Sequence, residues 1–291
     1  MKRIPLFLGL LAMLAAACGG GAGSDRVVLQ NKGSDTLVNV AQAWAEKYKE
    51  VNPNLAVAVT GGGSGTGISA LINGTVDIAN ASRKLKAKEL EQAKANGVEP
   101  KEFIVGYDAL AVFLHPSNPI ETLTIAQLAD IYGENGTAEN WDALGIDFEG
   151  CKSGEIIRVS RQNNSGTYVY FKDAVLGKTG EYKLGSRDMH GSKDVVDLVA
   201  KTPCAIGYSG LAYATHEVKM AAIAMEAGSP PVMPSVESAS DGSYPIARPL
   251  LMYTAGEPTG AVKEYLDWIL SDEGQRLIVE KGYAPVRALQ N

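Results

Sequence analysis

The sequence predicts an α/β protein built from two lobes. Its 291 residues exceed one average domain and fit two compact units of roughly 100–150 residues each. Segments with strand periodicity alternate with segments with helical periodicity, which favours mainly parallel sheets covered by helices on both faces. Two extended apolar runs, at 104–114 and 246–253, are long enough to cross from one lobe to the other.

The first part of the chain contains three predicted strand and helix pairs. The strands are predicted at 27–30, 55–60 and 76–80, and the helices at 37–51, 68–73 and 86–95. In the first helix, apolar residues including Val40, Trp44 and Tyr48 recur at helical spacing until Asn52-Pro53 ends the helix. A glycine-rich turn follows the second strand.

The second part continues in the same style. Helices are predicted at 125–132, 167–176 and 193–200, strands at 156–160, 205–208 and 218–224, and two closing helices at 260–270 and 272–281. The stretch 228–242 contains three prolines and several serines, so it is predicted as a loop and not as a linker between independent domains.

Composition and charge exclude several classes of protein. Hydrophobic residues make up 45% of the chain and charged residues 21%, which excludes a disordered, collagen-like or coiled-coil chain. The net charge of −6 argues against a general nucleic-acid binder. Three cysteines are too few for a disulfide scaffold or a cysteine-rich zinc site, and the three histidines have no metal-ligand spacing. We therefore expect no metal and no cofactor.

Residues 1–17 have the pattern of an export signal. Lys2 and Arg3 give a positive start, the stretch 6–14 is apolar, and alanines fill 15–17 before a cleavage point. The apolar run is too short to span a membrane permanently. Removing these residues removes two positive charges and no acids, which takes the net charge from −6 to −8.

Cys18 directly follows the alanines, which resembles a bacterial lipobox, in which the cysteine is lipidated and becomes the new N-terminus. A lipobox usually has leucine three places earlier, where this chain has Ala15, so an ordinary signal peptide with an incidental cysteine is the alternative. The glycine-rich stretch 19–24 is typical of a flexible tether and favours lipidation.

The remaining cysteines, Cys151 and Cys204, would face an oxidising compartment, where two thiols usually pair. We predict a disulfide between them, with two separately buried thiols as the alternative.

Three segments place Ser, Thr and Gly directly at a predicted helix start, namely 33–36, 61–67 and 163–167. A helix N-terminus presents unpaired N–H groups and the positive end of the helix dipole, so it attracts an anion. Each segment alone is better explained by helix capping, because Ser and Thr are preferred N-cap residues. Three of them in one chain favour a shared oxyanion site.

Two arginines support an anion site. Arg161 ends a predicted strand four residues before Ser165, and Arg83 follows Ser82 just after another strand. Arginine binds tetrahedral oxyanions through its fork, and open α/β sheets bind ligands beyond the carboxyl ends of their strands. A surface salt bridge is the alternative for each.

Motifs for catalysis are not found. The glycine loop lacks the Gly-Lys-Ser/Thr ending of a P-loop, its spacing misses the dinucleotide fingerprint, and no Gly-x-Ser-x-Gly elbow occurs. The sequence therefore predicts a binding protein and not an enzyme.

The ordered set of motifs resembles the phosphate-binding proteins of bacterial phosphate ABC transporters, the PstS family. The resemblance is carried by Gly-Ser-Asp-Thr-Leu at 33–37, the glycine loop, Ser82-Arg83, Arg161 with Ser165-Gly166-Thr167, and Gly282-Tyr283-Ala284-Pro285. It covers nearly the whole mature chain. It implies a two-lobed periplasmic-binding-protein fold of type II-like architecture, with two crossover strands and one dehydrated phosphate in the cleft.

The resemblance also implies the contact residues. Ser34, Thr36 and the Leu37 N–H carry the first loop contact, and Ser64 carries the glycine-loop contact. The second lobe contributes a set of four residues: Arg161, Ser165, Gly166 and Thr167.

One departure from the family pattern concerns the proton of the bound phosphate. Some members have an aspartate after the third strand to accept this proton, where this chain has Ser82-Arg83. Ser82 and Arg83 are then expected as donors to the anion, with Arg83 as a second guanidinium. Asp35 either turns inward as an acceptor or caps its helix from outside, and the second outcome is favoured.

These observations together predict a monomeric, lipid-anchored periplasmic or cell-surface protein.

 The protein is expected to bind inorganic phosphate with high affinity and to deliver it to the membrane permease of an ABC transporter. The lobes are expected at 25–108 plus 248–291 and at 109–247. The alternatives are the same fold with sulfate, molybdate or tungstate, a secreted hydrolase of phosphate esters, and a surface sensor or adhesin that serves no transporter.

Overall fold

The protein is described here by a computed structural model, which covers residues 26–289. The eleven strands of that part of the chain are β1 (Val27–Gly33), β2 (Leu55–Thr60), β3 (Ile78–Ala81), β4 (Pro100–Leu114), β5 (Thr122–Thr124), β6 (Ile157–Arg161), β7 (Arg187–Met189), β8 (Ala205–Gly210), β9 (Lys219–Met220), β10 (Ala222–Ala224) and β11 (Ala247–Ala255). The α-helices there are α1 (Val38–Val51), α2 (Ser64–Ile72), α3 (Ala87–Ala95), α4 (Ile125–Tyr132), α5 (Gly166–Phe171), α6 (Ser192–Ala200), α7 (Val236–Ser240), α8 (Gly260–Ile269) and α9 (Asp272–Glu280). The predicted signal segment and Cys18 lie outside the described residues.

One curled sheet runs through both lobes in the order β2-β1-β3-β11-β4-β8-β6-β7, with β9 added to β4. In the first lobe β1 is parallel to β2 and β3, and in the second lobe β6 is parallel to β7 and β8. The long strands β4 and β11 run antiparallel to each other between the lobes. The predicted α/β fold with two lobes and two crossing strands is therefore confirmed.

The change of lobe occurs within β4. Its residues from Pro100 to Ala109 pair with β11, and its residues from Leu110 to Leu114 pair with β8. Because one strand pairs with the sheet of each lobe in turn, the connection between the lobes is short and continuous. Residues at this crossing therefore lie between the two lobes.

Each lobe has its own apolar core. In the first lobe Trp44 of α1 is fully buried and donates its indole N–H to the Gly274 carbonyl at 2.7 Å, which fixes the closing helices to this lobe. In the second lobe Phe171 stacks on Tyr208 with ring centroids 3.8 Å apart, and Tyr132 meets both rings edge-on. These rings pack α4 and α5 against β8 in the core of the second lobe.

The predicted disulfide is confirmed, since Cys151 and Cys204 are bonded and their Cα atoms lie 5.0 Å apart. The bond joins the loop before β6 to the loop before β8. Within residues 26–289, every helix is too short or too polar to cross a bilayer.

Some elements differ from the sequence prediction. The segment 218–224 forms two short strands, β9 and β10, and the predicted loop at 228–242 contains the short helix α7. The strands β5 and β7 were not predicted, because three residues are too few to show a period. Helix α2 begins at Ser64, earlier than predicted, because Gly63 with φ of 90° turns the chain directly into the helix.

Candidate anion-binding cleft

The three Ser/Thr/Gly loops meet where the two lobes are in contact. The hydroxyl of Thr36, in the turn before α1, lies 3.1 Å from the hydroxyl of Thr167 in α5. Asn164 of the second lobe donates its side-chain N–H to the Gly62 carbonyl at 3.0 Å. The backbone carbonyl of Asn164 accepts the Gly65 N–H at 3.0 Å. The structure therefore brings together three helix starts that are far apart in the sequence.

Three serine hydroxyls of the first lobe form a buried cluster. Ser34 donates its hydroxyl to the Ser82 hydroxyl at 3.0 Å, and the Ser82 backbone N–H donates to the Ser64 hydroxyl at 3.1 Å. Gly166 of the second lobe packs against them, since a Cβ built on it would lie 2.2 Å from Ser64 Oγ and 2.5 Å from Ser82 Oγ. A residue with a side chain would therefore clash at this contact between the lobes, and glycine avoids the clash.

The start of α5 is capped by its own serine. The Ser165 hydroxyl oxygen accepts the Thr167 N–H at 3.1 Å, which is the capping role given above as the alternative to anion binding. The two roles are compatible, because a hydroxyl that accepts a hydrogen bond still has its own proton to donate. The backbone N–H of Leu37 has a single proton, and it donates this proton to the Ser34 carbonyl at 3.1 Å inside its own turn. Unlike the Ser165 hydroxyl, it therefore has no further proton to offer an anion.

Arg161 is a buried cation at the contact between the two lobes. Its terminal nitrogens donate to the Ser192 hydroxyl at 3.0 Å, to the His190 carbonyl at 2.8 Å and to Asp35 Oδ2 of the first lobe at 3.0 Å. Burial lowers the pKa of Arg161, and the Asp35 carboxylate opposes this effect, while a guanidinium remains protonated in either case. Its Nε is buried without a hydrogen-bond partner among the described residues, so one donor of the fork is still available.

Arg83, which is predicted as a second guanidinium on the anion, forms an ion pair with Glu89. Its terminal nitrogens donate to the two carboxylate oxygens of Glu89 at 2.8 and 2.7 Å, and one of them also donates to the Lys84 carbonyl. Burial opposes ionisation of Glu89, but the bonds from Arg83 and from the Lys86 N–H outweigh it and lower the pKa of this carboxyl. The terminal nitrogens of Arg83 are therefore engaged in an ion pair, while its Nε is buried without a hydrogen-bond partner among the described residues, so its role as a second guanidinium on the anion stays a prediction.

Asp35 turns into the cleft, and the expectation that it caps its helix from outside is wrong. Its Oδ1 accepts the Gly62 N–H at 2.8 Å, and its Oδ2 accepts from Arg161 of the other lobe. Its side chain is only 14% exposed. The carboxylate therefore joins the first loop, the glycine loop and the second lobe.

Two charged residues of the cleft were missed by sequence reasoning. Arg248 on β11 and Asp108 on β4 form an ion pair of 2.8 Å at the crossing of the two strands, with both side chains 0% exposed. The available signal was a charged residue inside each long apolar run, since charges are rarely fully buried unless they are paired.

The fold and this cleft define a two-lobed solute-binding protein whose buried donors and guanidinium suit an oxyanion. Among the described residues there is no group of three or more side chains able to hold a metal ion. Hydroxyl groups, N–H groups and one buried cation can hold an anion by direct hydrogen bonds.

Comparison with known proteins identifies the family. The model of the PBP superfamily domain matches residues 20–273. The phosphate-binding protein PstS of Pseudomonas aeruginosa is 35% identical over 271 residues, covering 89% of this chain and 83% of that protein. PstS of Bacillus subtilis is 33% identical over 304 residues, covering 98% and 95% of the two chains.

A solved structure agrees with these relatives. The crystal structure described as a phosphate ABC transporter substrate-binding protein with bound phosphate, from Clostridium perfringens, is similar with a TM-score of 0.77 and 31% identity, covering 89% of this chain and all of that one. The chain belongs to the PstS family of the PBP superfamily. This membership places it among substrate-binding proteins and not among enzymes.

Proposed function

We propose that this protein binds inorganic phosphate outside the cytoplasm and delivers it to the permease of a phosphate ABC transporter. The observation that carries the proposal is the convergence of hydroxyl donors from both lobes on the region around the buried Arg161. Donors fixed in a buried cleft replace the water around an oxyanion without further ordering. The net charge of the chain does not oppose this, because distant surface charges are screened by salt.

The relatives support phosphate as the anion. Those at 33–35% identity are named phosphate-binding proteins, and the similar Clostridium perfringens structure is described as holding phosphate. We therefore propose phosphate as the ligand, in preference to the other oxyanions that such a cleft could hold.

The proposed contacts come from both lobes. Arg161 provides the charge, and the other proposed donors are Arg83, Ser34, Thr36, Leu37, Ser64, Ser82, Ser165, Gly166 and Thr167. The Leu37 N–H must leave the Ser34 carbonyl to take part. The proposed lobes are 25–108 plus 248–291 and 109–247, and the change of pairing after Ala109 supports this division.

Isothermal titration calorimetry of the mature chain with phosphate, sulfate, arsenate and molybdate tests the ligand. We expect tight binding of phosphate, tight or intermediate binding of its close analogue arsenate, and weak binding of sulfate and molybdate. Binding of molybdate or sulfate in preference to phosphate would replace the proposed ligand by another oxyanion, and no binding of any of the four would contradict the proposed function.

Lipid anchoring through Cys18 and a monomeric state complete the proposal. The glycine-rich composition of 19–24 supports an anchor, because such a composition is typical of the tether of a lipid-anchored domain. Cys18→Ser should release the protein from the membrane fraction without changing phosphate affinity. Wild-type protein that carries no lipid mass on Cys18 would contradict the anchor, and sedimentation of the mature chain as a dimer would contradict the monomer.

A further inference from the structure

The ion pair between Arg248 and Asp108 is fixed at the crossing of the two long strands. The two residues lie directly opposite each other in the register of β11 and β4. Arg248 donates from Nε at 3.1 Å and from a terminal nitrogen at 2.8 Å, both to Asp108 Oδ2, and Asp108 Oδ1 accepts the Leu211 N–H at 3.2 Å. The guanidinium therefore has little freedom to turn.

The same guanidinium reaches the cleft. The terminal nitrogen that binds Asp108 also donates to the Thr36 hydroxyl oxygen at 3.2 Å, and the other one donates to the Ser82 carbonyl at 3.4 Å. The carbonyl of Thr36 accepts from the Tyr283 hydroxyl, which fixes the backbone that carries this side chain. Thr36 is buried, so water does not compete for its hydroxyl.

This geometry decides the direction of the Thr36 hydroxyl. A guanidinium can only donate, so the Thr36 oxygen must accept from Arg248. The single proton of the hydroxyl must then point to another acceptor, and Thr167 Oγ1 lies 3.1 Å away across the cleft. A bound oxyanion between the lobes offers a stronger acceptor than this hydroxyl, because it is charged.

We infer that Arg248 is a positioning residue, which commits the Thr36 hydroxyl to donate its proton to an oxygen of the bound oxyanion. The inference rests on the proposed function of the cleft. Its chemical consequence is that any proton on the phosphate oxygen facing Thr36 must point away from Thr36, because two protons cannot occupy one hydrogen bond. Arg248 thus restricts the directions in which the proton of a bound phosphate can point near the first loop.

A double-mutant cycle tests whether Arg248 acts through Thr36. Arg248→Lys keeps a positive charge for Asp108 but replaces the fork by one ammonium, and Thr36→Val removes the hydroxyl at nearly constant volume. We expect Arg248→Lys to weaken phosphate binding about tenfold in the wild-type background and less than about twofold in the Thr36→Val background. Equal losses in the two backgrounds would overturn the inference, since a merely structural role of Arg248 does not depend on the Thr36 hydroxyl.

Arg158→Lys is the matched control. Arg158 is another buried arginine, paired with Glu139 at 2.9 Å in the second lobe, and it makes no bond to the cleft loops. We expect it to leave phosphate affinity within about twofold of wild type, and an equal loss of affinity in this variant would overturn the specific role of Arg248.

A second pair of variants keeps the test valid if Arg248→Lys does not fold. The double variant Asp108→Asn, Arg248→Met removes both buried charges and leaves neither unpaired, and it is compared with and without Thr36→Val. We again expect a larger loss of phosphate affinity when Thr36 is present than in the Thr36→Val background. Failure of the wild-type protein to bind phosphate would defeat the proposed function, whereas wild-type binding with additive losses would defeat this inference alone.

Discussion

Arg161 differs from the hydroxyl and backbone donors of the cleft because it carries a full charge that is buried away from water. Its partners hold it from both lobes, with Ser192 and the His190 carbonyl on one side and Asp35 on the other. A buried charge-assisted hydrogen bond is worth more than one from a neutral hydroxyl, so the loss of Arg161 and the loss of a serine should differ in size.

Arg161→Ala should therefore weaken phosphate binding by about 100-fold or more, and Ser165→Ala by about tenfold. Calorimetry on both variants measures the two losses, and Arg158→Ala serves as a control for removing a buried arginine elsewhere in the second lobe. Affinity close to wild type in Arg161→Ala would mean that the anion binds elsewhere.

Asp35 should help to distinguish phosphate from sulfate. Its carboxylate lies in the cleft beside Arg161, and sulfate brings full charge without a proton to share. A carboxylate near such an anion is unfavourable, whereas phosphate still carries at least one proton near neutral pH. Asp35→Asn should reduce the preference for phosphate over sulfate by about tenfold, as measured by competition at constant pH. An unchanged preference would exclude Asp35 from this discrimination.

At the scale of elements, the start of α5 sets how closely the lobes approach. Asn164 bonds to the glycine loop, and Gly166 packs on the hydroxyls of Ser64 and Ser82. The short helix is thus both a source of donors and a contact surface between the lobes.

Gly166→Ala should hinder the contact between the two lobes without weakening the folding of either lobe. The added methyl group would lie 2.2 Å from Ser64 Oγ, so the closed form should be hindered, while alanine is favourable within a helix. We expect phosphate affinity to fall by about 30-fold or more, with thermal unfolding of the ligand-free protein unchanged or at slightly higher temperature. Wild-type affinity together with wild-type stability would show that the lobes can close without this contact.

At the scale of the whole molecule, the disulfide and the cleft lie at opposite ends of the second lobe. Cys204 precedes Ala205, which pairs with Ile157 at the start of β6, whereas Arg161 ends that strand. The bond closes a loop between residues 53 apart, and such a constraint stabilises a fold mainly by restricting the unfolded chain.

Replacing Cys151 and Cys204 together by serine should lower the free energy of unfolding by about 2–4 kcal/mol. Phosphate affinity of the folded variant should stay within about twofold of wild type, because the cleft is distant from the bond. Denaturant unfolding and calorimetry measure the two quantities. A large loss of affinity in fully folded protein would show that the disulfide also shapes the cleft.

Local pattern alone determined most of the helices and strands of this protein. The period of apolar residues placed α1, β2 and α4, and the length of the runs at 104–114 and 246–253 identified the two crossing strands. The Ser/Thr/Gly loops were also visible in the sequence, because donors at a helix start are a local property.

Only the tertiary structure decided which charges meet. Asp35 and Arg161 are 126 residues apart and Asp108 and Arg248 are 140 apart, and the sequence offers 27 basic and 33 acidic residues among which pairs could form. Periodicity does not specify the order of strands in a sheet, and the strand order is what places β4 beside β11 and one lobe against the other. The direction of the Thr36 hydroxyl and the pairing of Arg161 follow from that order, because an ion pair depends on distance in space and not on distance along the chain.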